Sequence, residues 1–174
     1  MRRYLRATMA ESDDVVIEHP NREKASSKLL RVIVVVLLLA SAGLVLLITL
    51  GGWAALEGAK LMQLIYVAIY LVLAVFVLRW NRGVLPLIAA LAMILLIFAA
   101  VSTPSWFDRD KFGFTNPALP EGVLGLLTAL LVPLQLVLIV FAMGAFRQGW
   151  NVEVERRRDE GDRPQRGGPE PAPA

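Results

Sequence analysis

The chain contains no cysteine and a single histidine, His19. Without cysteine there can be no disulfide, thiolate metal site, iron–sulfur cluster or thiol nucleophile. One histidine cannot supply the paired ligands that haem or a histidine-rich zinc site takes from one chain. The sequence therefore predicts neither a metal nor any other cofactor.

Charge is missing from the interior of four apolar segments. No Asp, Glu, Lys, Arg or His lies deep within any of them. A helix needs about 20 apolar residues to cross a hydrocarbon core roughly 30 Å thick. The sequence thus predicts an all-α membrane protein with four transmembrane helices, at about 29–50, 61–78, 84–103 and 123–146.

The same absence bears on function. Proton relays, voltage sensors and most ion-coupled transporters use ionisable groups inside the membrane. The lack of such groups argues against these classes, although a pore lined by neutral groups stays open as an alternative.

Polar segments flank the apolar region. Residues 1–28 and 151–174 have compositions that cannot bury a core, so we expect two disordered tails around a bundle at 29–150. Met9 opens a plausible start of its own and is an alternative to Met1. The first span also resembles a signal peptide with a cleavage motif at 40–42, but eight further apolar residues favour a retained helix.

Short links at 51–60, 79–83 and 104–122 predict antiparallel neighbours and an up-down-up-down bundle. Fifteen Lys and Arg residues fall on the side of the two tails, against three on the opposite side. The positive-inside rule then places both termini in the cytoplasm, the N-in/C-in arrangement. The charges beside the spans account for the pI of 9.6, so we expect a lipid bilayer as partner and no nucleic acid.

Tryptophan and proline mark the ends of the predicted spans. One tryptophan lies just beyond each span, and indole rings prefer the headgroup interface, so we expect all four in interfacial belts: Trp53, Trp80, Trp106 and Trp150. We expect Pro104 to end the third span, because proline cannot donate the next helical hydrogen bond.

Several polar side chains lie within the spans. Gln63, Tyr66 and Tyr70 share one face of the second span, and Thr128 and Gln135 share one face of the fourth. The predicted polar seam between spans 2 and 4 comprises Ser41, Gln63, Tyr66, Tyr70, Thr128 and Gln135. We interpret it as structural hydrogen bonding between helices; the alternative is a cavity for a quinone head or a small neutral solute.

The 104–122 link contains the only acidic cluster outside the tails, formed by Asp108, Asp110 and Glu121. Its spacing resembles the start of a calcium loop, but Phe112 and Leu119 occupy ligand positions, so we expect no metal there. The cluster has no partner base, so the sequence predicts no enzyme.

The arrangement of four spans with short links, with fourteen Arg to four Lys, resembles that of small uncharacterised four-span membrane proteins of high-GC bacteria. The resemblance implies a multi-pass protein of the bacterial plasma membrane. We expect a non-enzymatic accessory or scaffolding component that packs against partner membrane proteins or itself. The alternatives are a small neutral-solute transporter or channel and a quinone-type ligand binder.

Overall fold

The computed structural model describes residues 15–18, 24–56, 58–108, 117–150 and 154–157. Within them lie four α-helices, each long and apolar enough to cross a membrane. Their bounds are α1 Ala25–Gly51, α2 Ala59–Leu78, α3 Val84–Phe107 and α4 Glu121–Arg147. Each helix contains one of the predicted spans. The prediction of an α-helical protein with four candidate membrane-spanning helices is therefore confirmed for the described residues.

The helices do not pack equally closely. Helix α1 packs against α2 and α4, and α4 packs against α3, whereas α2 and α3 make few contacts with each other. Leu38, Leu124 and Leu138 are fully buried in the core. Ala92 and Ala99 are buried on α3, and such small side chains let helix backbones approach closely. The bundle is thus tight around α1 and α4 and open between α2 and α3.

Two arginines join helices at one end of the bundle by hydrogen bonds to backbone carbonyls. The Arg31 Nη2 atom donates a 2.7 Å hydrogen bond to the Leu78 carbonyl, joining the start of α1 to the end of α2. The Arg82 Nε atom donates a 2.8 Å bond to the Phe146 carbonyl near the end of α4. Terminal carbonyls of a helix have no intrahelical partner and attract positive charge. The arginines therefore cap two helices from neighbouring segments.

Helix α2 ends in an unusual way. The Asn81 N–H bonds to the Phe76 carbonyl and the Trp80 N–H to the Val77 carbonyl, the two bonds of a Schellman motif. Trp80 occupies the left-handed position with φ 60°, where glycine is usual. Its ring meets Trp150 edge-on at 5.3 Å and lies 4.4 Å from the Arg31 guanidinium carbon. These contacts offset the strain of the backbone.

Two short strands connect the tails. Strand β1, Val15–Glu18, pairs antiparallel with β2, Val154–Arg157, and Val15 stands opposite Arg157. The prediction of disorder for 1–28 and 151–174 otherwise falls mostly outside the described residues. The pairing brings segments before α1 and after α4 together at one end of the molecule.

The prediction that Pro104 ends the third helix is wrong. Pro104 lies inside α3, which continues to Phe107. A proline removes only its own N–H bond to the carbonyl four residues earlier, and the next turn still forms, since the Asp108 N–H bonds to the Pro104 carbonyl.

The tryptophan prediction is also wrong for two residues. Trp53 is 45% exposed, as a belt residue should be, but Trp106 is 3% exposed and Trp150 is fully buried. Trp106 packs inward because Gly52 leaves room: a Cβ atom there would lie 2.7 Å from the indole ring. Trp150 is buried at the end of the bundle where Arg31 and Arg82 bond to helix carbonyls, and its ring packs edge-on against Trp80 there.

Candidate functional site

Three residues of the predicted polar seam meet at the centre of the bundle. The Tyr70 hydroxyl donates a 3.0 Å hydrogen bond to Gln135 Oε1, and Gln135 Nε2 donates a 2.9 Å bond to Ser41 Oγ. The three side chains come from α2, α4 and α1, and none is more than 1% exposed. We call Ser41, Tyr70 and Gln135 the central triad. It is a closed cluster in which both ends of the Gln135 amide have partners.

Gln63 hydrogen-bonds to α1, whereas the predicted polar seam lay between spans 2 and 4. The Gln63 Oε1 atom lies 2.6 Å from Thr49 Oγ1 on α1, and the Thr49 hydroxyl also lies 2.7 Å from the Val45 carbonyl. Gln63 therefore joins α2 to α1 and not to α4. Thr49 was outside the predicted seam, although it follows Ser41 and Val45 at four-residue spacing along one face of α1.

Thr128 makes no hydrogen bond to another helix among the described residues. Its hydroxyl donates a 2.7 Å bond to the Leu124 carbonyl one turn earlier on α4. Threonine hydroxyls in helices commonly bond back to that carbonyl. The hydrogen-bonded seam expected between spans 2 and 4 is therefore reduced to the Tyr70–Gln135 bond.

A cavity of about 290 Å³ lies in the open region between α2 and α3. We call it the lateral cavity. Gln63, Tyr66 and Thr128 of the predicted seam line it, together with Ser102, Ser105 and mostly apolar side chains, and its described lining contains no charged residue. Its walls include none of the central triad. The predicted seam is thus divided between a closed centre and an open side cavity.

Tyr66 connects the two regions. Its ring meets the ring of Tyr70 edge-on, with centroids 5.9 Å apart, while the residue also lines the lateral cavity. Edge-to-face aromatic pairs of this kind hold their rings in a fixed relative orientation.

The acidic cluster predicted in the 104–122 link is only partly described. Asp108 follows the end of α3 and Glu121 begins α4, whereas Asp110 lies outside the described residues. Glu121 sits in the first turn of α4, where a carboxylate is stabilised by the helix dipole. The described part of the chain contains no group of three or more His, Cys, Asp or Glu side chains that could hold a metal ion.

No family model, no curated protein and no solved structure matches the chain. The functional assignment accordingly depends on the geometry of the central triad and the lateral cavity.

Proposed function

We propose that the protein is a non-enzymatic integral membrane component that works by packing against partner membrane proteins or another copy of itself. The central triad is the observation that supports this proposal. A buried, mutually hydrogen-bonded cluster holds helices together and offers neither a reactive group nor a passage.

The lateral surface is where such a protein would act. In its most apolar stretch, α2 has 22% of its residues buried, against 33–44% for the other three helices. Ile65, Val72 and Val75 are among its exposed apolar side chains. Membrane helices associate through close packing and hydrogen bonds between their surfaces. The outer face of α2 is therefore the first surface to test for a partner.

The proposal includes an orientation. The helices run up-down-up-down in a bacterial plasma membrane, with both tails in the cytoplasm. The excess of Lys and Arg on the side of the tails supports this orientation. Arg31 and Arg82 cap helix ends on that same side, so two of the counted charges also have a structural role.

Cross-linking in intact cells tests the packing role. A photoreactive side chain at position 72 should give a defined product with one partner, or with a second copy, and Val72→Trp should abolish that partner's recovery after extraction in mild detergent. Val140→Trp on α4, also an exposed valine, is the matched control and should leave recovery unchanged. A protein recovered only as a monomer, with no defined product at any exposed position, would contradict the proposal.

The alternative function, a transporter or channel, requires an open route through the bundle. Water or solute would have to reach the central triad, and the lateral cavity is not lined by any of its three residues. The geometry therefore supports the packing role over a route through the centre.

A further inference from the structure

We propose that the lateral cavity binds the head of a neutral amphiphile that carries a carbonyl oxygen, a quinone ring or an ester, while the apolar tail remains in the bilayer. This site goes beyond the proposed packing role and does not depend on it. Four observations support it: the side on which the cavity opens, its hydrogen-bond donors, its lack of charge and its volume.

The cavity opens sideways. Helices α2 and α3 make few contacts with each other, whereas α1 and α4 are closely packed with their neighbours. Met62 of α2 and Phe98 of α3 line the cavity and are 55% and 52% exposed. In a bilayer, an opening between two apolar helices faces the lipid. A ligand would therefore enter from the membrane, which selects for molecules dissolved in it.

The cavity lining contains three hydrogen-bond donors without a partner among the described residues, namely the Gln63 amide nitrogen and the hydroxyls of Tyr66 and Ser105. The Gln63 amide uses its oxygen at Thr49, and its nitrogen has no partner among the described residues. The Tyr66 hydroxyl likewise makes no hydrogen bond within the described part of the chain. A polar group in an apolar environment costs free energy until it finds a partner. An oxygen that accepts hydrogen bonds would give such donors a partner.

The absence of charge restricts the ligand further. The described lining carries no ionisable group that could pair with a charged head, and an unpaired charge is strongly disfavoured away from water. A phosphate or ammonium head is therefore excluded. A neutral carbonyl is the acceptor that matches these neutral donors.

The volume indicates how much of the ligand is enclosed. At about 290 Å³, the cavity lies at the lower limit of sites that enclose a drug-sized molecule, which run from about 300 to 1,000 Å³. It has room for a head about the size of one ring. A longer chain must leave through the opening between Met62 and Phe98, which places the tail among the lipids.

Binding can be measured on the full chain in nanodiscs, using three probes with ten-carbon chains: a decyl benzoquinone, a ten-carbon monoacylglycerol and decylbenzene. The first two carry carbonyl oxygens and the third does not. We expect both carbonyl probes, or one of them, to bind at least tenfold more tightly than decylbenzene. The tighter of the two identifies the head as quinone or ester.

Two substitutions test the donors. Gln63→Leu and Tyr66→Phe should each weaken binding of the carbonyl probe about fivefold, the value of one hydrogen bond. In Gln63→Leu the Thr49 hydroxyl can donate its one proton to the Val45 carbonyl, 2.7 Å away, so it keeps an acceptor and the fold is preserved. Thr103→Val is the matched control: it removes a hydroxyl that bonds within α3 and does not line the cavity, so affinity should be unchanged.

Three outcomes would overturn the site. The first is that decylbenzene binds as tightly as the carbonyl probes. The second is that both donor variants retain wild-type affinity. The third is that a second copy of the chain occupies the gap between α2 and α3. Met62→Cys, in a chain that otherwise has no cysteine, would then form a disulfide between copies in quantitative yield, and adding the probes would not lower that yield. Low disulfide yield that falls further when the carbonyl probe is added supports the proposal.

Discussion

At the scale of single residues, Gln135 links three helices, because its amide bonds to Tyr70 on α2 and to Ser41 on α1. We expect Gln135→Leu to lower the free energy of unfolding by only about 1 kcal/mol, because interhelical hydrogen bonds in membranes average about 0.6 kcal/mol each. Unfolding in mixed micelles gives this value. Tyr70→Phe should lower the free energy of unfolding less in the Gln135→Leu variant than in the wild type, because the Tyr70 hydroxyl has already lost its partner there. A Gln135→Leu protein that stays folded but loses a transport or ligand-binding activity would contradict a structural role.

Trp80 allows a second test at this scale. Replacement by glycine or by alanine removes the contacts with Trp150 and Arg31 equally. Only glycine also removes the steric strain of the left-handed backbone conformation at this position. Trp80→Gly should therefore be more stable than Trp80→Ala by about 1 kcal/mol, the steric cost of a Cβ atom in that conformation. Thermal unfolding of both variants measures the difference. Equal stabilities would mean that the loop adopts another conformation once the indole is removed.

The sequence could predict part of the candidate site and not the rest. Helical spacing and depth along the spans put Tyr70, Gln135 and Ser41 near the same level, and the structure joins them. The same reasoning failed for Thr128, because a threonine in a helix has a bonding partner in its own backbone. It also failed for Gln63, because rotation of α2 about its axis decides which neighbour a side chain meets, and apolar sequence does not specify that rotation.

At the scale of secondary-structure elements, the end of α1 depends on a close approach. A Cβ atom on Gly52 would lie 2.9 Å from the Ile48 carbonyl oxygen and 2.7 Å from the buried Trp106 ring. Gly52→Ala should therefore destabilise the protein by about 1–3 kcal/mol, as overpacking does. Gly43→Ala, with nothing within 4 Å of its new atom, is the control and should be neutral or stabilising by up to about 1 kcal/mol. Equal unfolding midpoints for the two variants would refute the close approach.

Helix bounds illustrate a second limit of sequence reasoning. Hydropathy identifies where a chain can cross the hydrocarbon, and each predicted span lies within one helix. A helix continues past the hydrocarbon as long as backbone bonds and side-chain contacts support it, and α3 does so for one turn beyond Thr103. The buried indole of Trp106 stabilises that turn, and its burial depends on a glycine from another segment, which a local pattern does not reveal.

At the scale of the whole molecule, the orientation can be tested directly. A reporter that is active only in the cytoplasm should work when fused at Met1 and at Ala174 and fail when inserted at Gly113, because the excess of Lys and Arg lies beside the tails. A reporter active only outside the cytoplasm should give the inverse pattern. Cytoplasmic activity at Gly113 would reverse the proposed orientation.

The gap between α2 and α3 is the feature of the whole molecule that sequence could not predict. Helix α3 has no polar side chain from Val84 to Val101, so no polar stripe distinguishes its face that packs inside the protein from the face that meets lipid. The choice of neighbours depends instead on small side chains and shape. Ala92 and Ala99 are buried on α3, and α3 packs far more closely against α4 than against α2.

The pairing of β1 with β2 has a consequence for the order of events during synthesis. Strand β1 leaves the ribosome early, and its partner opposite Val15 follows only after all four helices have been made. At about 5–20 residues per second, the roughly 140 intervening residues take about 7 to 28 s. Throughout that interval β1 has no β2 to pair with. The β1–β2 pair therefore forms only after translation has passed α4.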